Sequence, residues 1–127
     1  MKLRIFIFLI LLVSKPVGAV VLEQLQTDSY LNEPLKASIE IHGVDELDLA
    51  DIKFSVASNS DYIRLVDTNR PAYLDKVKFK LIATGHERHI LQITSLQRVR
   101  EPILTFLLKV TEKHGSFIKK FTLLLDP

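Results

Sequence analysis

Cysteine is missing from all 127 residues. No disulfide can brace the chain, although small exported domains commonly depend on such bridges, so apolar burial must hold the fold together. The same lack excludes a lipoprotein acylated on a first cysteine. Also missing are a Gly-x-Ser-x-Gly element and a glycine-rich phosphate cradle, which removes the local signatures of a serine nucleophile and of a nucleotide site. After the N-terminal hydrophobic run there is no second one, and no repeat, low-complexity tract or flexible linker interrupts the chain. Glycine is scarce, at 4 residues. Three of them, Gly43, Gly85 and Gly115, fall at breaks between strand-like runs, where a positive φ is cheapest for glycine.

What is present begins with a leader. Met1-Lys2-Leu3-Arg4 is followed by an uncharged stretch, Ile5 to Val13, and then by Val17-Gly18-Ala19, with small or branched residues where a signal peptidase reads. This is the pattern of a secretory signal peptide over residues 1–19, with cleavage expected between Ala19 and Val20. The apolar stretch falls well short of the roughly 20 residues that span a bilayer, so no membrane span is expected in the mature chain. The whole chain is formally +2, but the leader takes Lys2, Arg4 and Lys15 and no acid with it, leaving 14 of the 17 basic residues against 15 acidic ones. A nucleic-acid partner loses its support, because it needs a clustered basic footprint on the folded domain. Residues 20–127 are expected to form one domain of ordinary size in the periplasm.

Within that domain the apolar residues recur at every second position. Leu35, Ala37, Ile39 and Ile41 alternate with Lys36, Ser38, Glu40 and His42; Val77, Phe79 and Leu81 with Lys76, Lys78 and Lys80; and Leu104, Phe106, Leu108 and Val110 continue the pattern. Period-two alternation marks half-buried strands. Further strands are read at Val20 to Thr27, Ile52 to Ala57, His89 to Thr94 and Phe117 to Asp126. In the last of these Phe117, Phe121, Leu123 and Leu125 share one parity, with Lys119 the exception. Helical turns are expected at Asp48 to Asp51 and after the cap signal Ser58-Asn59-Ser60-Asp61, inside a crossover from Ser58 to Leu74. About seven short strands with one or two short helical turns predict an all-β fold, a small antiparallel immunoglobulin-like sandwich.

Candidate chemistry is sparse. His86-Glu87-Arg88-His89 is one residue short of the zinc-protease spacing and is read as a solvated hairpin turn, so no metal site and no cofactor is expected. Lys76, Lys78 and Lys80 form a basic ridge, which on a wet strand face protects against edge pairing and also offers attraction to an anionic polymer. Pro102 fits the first position of a strand. Arg100 and Glu101 before it are read as a corner, tying loop backbone or pairing with charges such as Asp67 or Arg70.

Several segments, taken together and in order, resemble the periplasmic N-terminal domain of the FimV/TspA family. They are Tyr30-Leu31-Asn32-Glu33-Pro34-Leu35-Lys36-Ala37-Ser38-Ile39-Glu40, Asp51-Ile52 leading to Val56-Ala57-Ser58, Arg70-Pro71-Ala72-Tyr73-Leu74, and Thr94-Ser95 with Val99-Arg100-Glu101-Pro102. The strongest is the ending, Phe106-Leu107-Leu108-Lys109-Val110, then Gly115, then Phe121-Thr122-Leu123-Leu124-Leu125-Asp126-Pro127. Glu112-Lys113-His114 stand where the family tends to carry a tryptophan-containing turn. Family members are inner-membrane proteins linked to type IV pilus assembly and cell polarity, continuing into a peptidoglycan-binding LysM module, a membrane span and cytoplasmic repeats. The resemblance reaches only the front domain and implies that domain alone, as a periplasmic scaffold or assembly module.

The expectation is therefore a non-enzymatic interaction module whose partners are envelope or pilus-assembly proteins, engaged by strand addition at a sheet edge. Its candidate interaction residues are Arg70, Lys78, Lys80, Arg100 and Glu101. Two alternatives stand beside it. One is direct binding of peptidoglycan through the lysine ridge. The other is a hydrolase with an unrecognised carboxylate pair, which requires a cleft that a thin sandwich rarely offers.

Overall fold

The computed structural model describes residues 20–43, 49–85, 88–113 and 115–127. The expected leader and its cleavage junction on the Ala19 side, together with Asp48, His86, Glu87 and His114, lie outside the described residues. The alternating runs become seven strands: β1 (Val21–Thr27), β2 (Pro34–His42), β3 (Lys53–Val56), β4 (Lys78–Gly85), β5 (Arg88–Arg98), β6 (Ile103–Glu112) and β7 (Gly115–Leu124). They pair antiparallel into a four-stranded sheet of order β1-β2-β5-β4 and a three-stranded sheet of order β3-β6-β7. The expected sandwich, with its seven strands, is the fold observed. Its dry interior consists of the residues that alternation selects. Leu35, Ile39 and Ile41 of β2, Leu91 and Ile93 of β5, and Leu104, Phe106, Leu108 and Val110 of β6 are all fully buried.

Between β3 and β4 the crossover forms one helix, α1 (Asn59–Val66), and a 3-10 turn, Ala72–Leu74. Ser58 starts the helix as its sequence signal predicts: its Oγ accepts from the Asp61 N–H at 3.1 Å and donates to the Asp61 carboxylate at 3.0 Å. The Arg64 guanidinium and Ser58 together hold the Asp61 carboxyl below the usual aspartate value, the Arg64 hydrogen bond being the larger cause. Asp67 ends the helix in the left-handed region at φ 58. Gly43, at φ 81, takes the same kind of turn where β2 stops.

Among the described residues there are three gaps in strand pairing at which a side chain takes over from the backbone. The β3–β6 ladder runs from Lys53↔Thr111 to Val56↔Leu108, and the next rung is half built. Ala57 N–H donates to Leu107 O at 2.9 Å, but the Leu107 N–H donates to the Tyr62 hydroxyl at 3.0 Å, and that hydroxyl donates to Thr105 O at 3.3 Å. Arg70 Nη1 donates to the Ala57 carbonyl at 3.3 Å. At the β2–β5 register shift between Pro34 and Lys36, the Leu35 N–H donates to Ser95 Oγ at 2.8 Å, and Ser95 Oγ donates to Gln97 O at 2.7 Å. At the β1 irregularity between Leu22 and Leu25, Lys119 of β7 reaches across from the other sheet and donates to Leu22 O at 2.6 Å.

That last contact explains why a lysine occupies an apolar parity in β7. Its stem lies along the seam where β1 meets β7, and its ammonium sits 5.2 Å from the Phe121 ring centre. Lys119→Met keeps the stem and deletes the donor. It is expected to lower the unfolding free energy by about 1.5 kcal/mol, the scale of a hydrogen bond to a charged group. Chemical denaturation checks this, and an unchanged midpoint would show that the seam does not need the ammonium.

Candidate functional site

One end of the sandwich collects the loops that carry the family-like motifs. Asn32 N–H donates to Val99 O at 2.8 Å, Val99 N–H to Glu33 O at 3.0 Å, Leu31 N–H to Asp126 O at 2.8 Å, and Leu125 N–H to Pro102 O at 2.8 Å. The β1–β2 turn, the β5–β6 corner and the C-terminal segment are thus laced into one clamp. Glu33 adds its carboxylate, which accepts from the Tyr30 N–H at 2.7 Å, and Asn32 turns the chain at φ 70. Asn32, Pro34, Val99 and Pro102 are spoken for by this architecture. Arg100 and Glu101, between them, project from it and are exposed.

Arg70 is occupied with structure rather than open to a partner. Its backbone N–H donates to Asn59 Oδ1 at 2.7 Å, and its guanidinium bridges Ala57 O and the Asp75 carboxylate, the latter at 2.9 Å. It does not reach Arg100 or Glu101, as the sequence reading allows, because Asp75, at the end of the 3-10 turn, lies closer. Glu101 instead accepts from the Tyr73 hydroxyl across a long 3.5 Å contact. Burial, and secondarily the Glu101 charge, push the Tyr73 hydroxyl well above its usual pKa.

Between the 3-10 turn and the end of β5 lies a groove of about 640 Å3. Pro71 and Tyr73 form one wall, Leu96 and Arg98 the other, and Arg100 and Glu101 close one end. The groove exists because β4 begins only at Lys78, opposite Thr94, so Ser95–Arg98 has no β4 neighbour. Sequence reasoning selects Arg100 and Glu101 here but passes over Tyr73, Leu96 and Arg98. The available signal was the pair of arginines flanking a buried valine, Arg98-Val99-Arg100.

Lys78 and Lys80 stand exposed on the outward parity of β4, opposite Thr94 and Gln92. β4 and β3 are the free edges on one side of the sandwich, so the lysine ridge borders an unpaired edge. The solvated-turn reading of His86 to His89 is corrected at its last residue. His89 lies in β5 between Ile41 and Ala83, on the parity of Leu91 and Ile93, and is fully buried. Among the described residues no cluster of His, Cys, Asp and Glu is placed to hold a metal ion, and no helix is long and apolar enough to cross a membrane.

Two antiparallel sheets closed by a laced corner define an immunoglobulin-like domain. The sequence model of the FimV N-terminal domain, described as Ig-like, matches residues 20–127, and the chain belongs to that family. The motility hub protein FimV of Pseudomonas aeruginosa, from strain PAO1 and from strain UCBPP-PA14, is in each case 32% identical over 106 residues, covering 84% of this chain and 11% of the relative. The chain therefore spans about a tenth of the length of these curated relatives. A solved structure, the BIgI domain of beta protein from S. agalactiae bound to CEACAM1, aligns at a TM-score of 0.45 and 16% identity over 85% of this chain and 97% of that one.

Proposed function

We propose that this chain is an exported, non-enzymatic interaction module of the periplasm, contributing to the assembly of a type IV pilus or another envelope machine. The observation that carries the reading is the family match across the whole of residues 20–127, with relatives named as motility hub proteins. The signal-like N-terminus supplies the route of export. Free edges at β3 and β4 supply main-chain donors and acceptors for strand addition, and the corner groove supplies a second exposed surface.

Site-specific photo-cross-linking in cells, with the probe at Lys80 on the β4 edge, at Leu96 in the groove and at Ser38 on the outer face of β2, tests the reading. The expected result is a discrete protein adduct from Lys80 or Leu96 and none from Ser38, in a periplasmic fraction that contains the chain shortened by its leader. Chain retained in the cytoplasm, or equal labelling from all three positions, would sink it. The lysine ridge keeps the peptidoglycan alternative in view. Co-sedimentation with isolated sacculi that fades with salt and with Lys78→Glu plus Lys80→Glu would favour that alternative.

A further inference from the structure

From the corner groove we infer a docking site for an extended acidic segment of a partner protein, seated between the 3-10 turn and the end of β5. The inference rests on the reading of the domain as an interaction module and specifies which surface acts and what chemistry it takes.

Charge accounting singles out the site. Arg64 pairs with Asp61, Arg70 with Asp75, and Arg88 with Glu40, whose carboxyl its hydrogen bond holds below the usual glutamate value. Arg98 and Arg100 have no ion-pair partner among the described residues, and both line this groove. The one acid beside them, Glu101, already faces the Tyr73 hydroxyl. Two planar guanidiniums at an open groove match carboxylates, which they can hold through parallel N–H donors.

Backbone and shape specify an extended partner. β5 continues past Thr94 to Arg98 without β4 beside it; the 3-10 turn packs there instead, and the open groove between turn and strand offers an extended segment a seat across their outer surface. The burial alternation of β5 puts Thr94, Leu96 and Arg98 on the outer face. Leu96 is 63% exposed, a large apolar side chain held in water next to the half-buried Tyr73. An extended segment with period-two side chains, laid along the groove, would set an apolar residue against Leu96 and acids against Arg98 and Arg100. Lys78, on the same outer face opposite Thr94, extends the positive field along the path. The volume lies inside the roughly 300–1,000 Å3 typical of ligand clefts.

The test uses the purified protein, nitrogen-15 labelled, and a short synthetic peptide alternating aspartate and valine, with a lysine-for-aspartate peptide as control. Amide shifts are expected at Ala72, Tyr73 and Leu96–Glu101 with the acidic peptide and not with the control. Arg98→Glu combined with Arg100→Glu is expected to weaken that binding at least about tenfold, while Lys53→Glu with Lys120→Glu, on the other sheet, changes it by less than about threefold. Both pairs are exposed, and an unchanged unfolding midpoint confirms intact variants. No shift at millimolar peptide, equal binding of the control, shifts centred on β4, or full displacement only by solubilised peptidoglycan would each overturn the inference. If the peptide fails while the Lys80 cross-link persists, the groove is wrong and the module reading stands; if the cross-links vanish too, both fall.

Discussion

Tyr62→Ala is expected to lower the unfolding free energy by about 3–5 kcal/mol, the range for emptying a buried aromatic site. Tyr62→Phe is expected to lower it by about 1–3 kcal/mol, the cost of leaving buried backbone groups unsatisfied. The ring is 1% exposed, and its hydroxyl ties α1 to the backbone of β6 at Leu107 and Thr105. Leu107 has the outward parity of its strand and is nonetheless buried. The hydroxyl does a separate task, because it accepts from Leu107 N–H and donates to Thr105 O, completing the β6 edge where β3 has ended. Urea titration of the two variants separates ring from hydroxyl. A phenylalanine variant as stable as the parent would mean that water satisfies that edge equally well.

The same variant has a signature in pH. Burial pushes the Tyr62 hydroxyl above its ordinary value of 10.0. A group whose pKa is raised on folding contributes stability that is complete below the unfolded value and is lost as pH rises through the folded one. Stability of the parent is thus expected to decline above about pH 10, and Tyr62→Phe should make that decline shallower.

Ser95→Ala is expected to destabilise by about 2–3 kcal/mol. The side chain is buried, and its single oxygen both accepts from Leu35 N–H and donates to Gln97 O, closing the gap left by the slip in β2–β5 register. Alanine fits the volume but strands a buried donor and a carbonyl together. Ser95→Thr, which keeps the hydroxyl, should recover most of the loss, as read from thermal unfolding with both variants in parallel. If the alanine and threonine forms melt alike, the hydroxyl is not the element that closes the slip.

The sandwich was legible because its sheets are wet on one face and dry on the other, and period-two alternation reports that arrangement directly. Each of the seven expected strands is present with ends moved by a few residues, and Ser58 caps the helix that its spacing announces. What stayed hidden depends on partners distant in sequence. Tyr62 resembles any apolar residue of a short helix until its hydroxyl is seen to meet the β6 backbone. Lys119 breaks its parity for a carbonyl 97 residues away. His89 sits one residue inside a strand whose start a turn-like Gly-His-Glu blurs. At the candidate site, Arg100 and Glu101 are readable from the corner beside Pro102. Arg98 and Leu96 become notable only once β4 is seen to stop short of them.

The bond from Leu31 to Asp126 has a bearing on timing. It joins the β1–β2 loop to Asp126, just past β7, and β7 also supplies the lysine that fastens β1. Sheets assembled from segments so far apart along the chain form slowly, because the closure entropy comes first and the contacts come after. The domain therefore stays open until β7 and the segment through Asp126 have been made, and β1 and β2 wait unlatched until then.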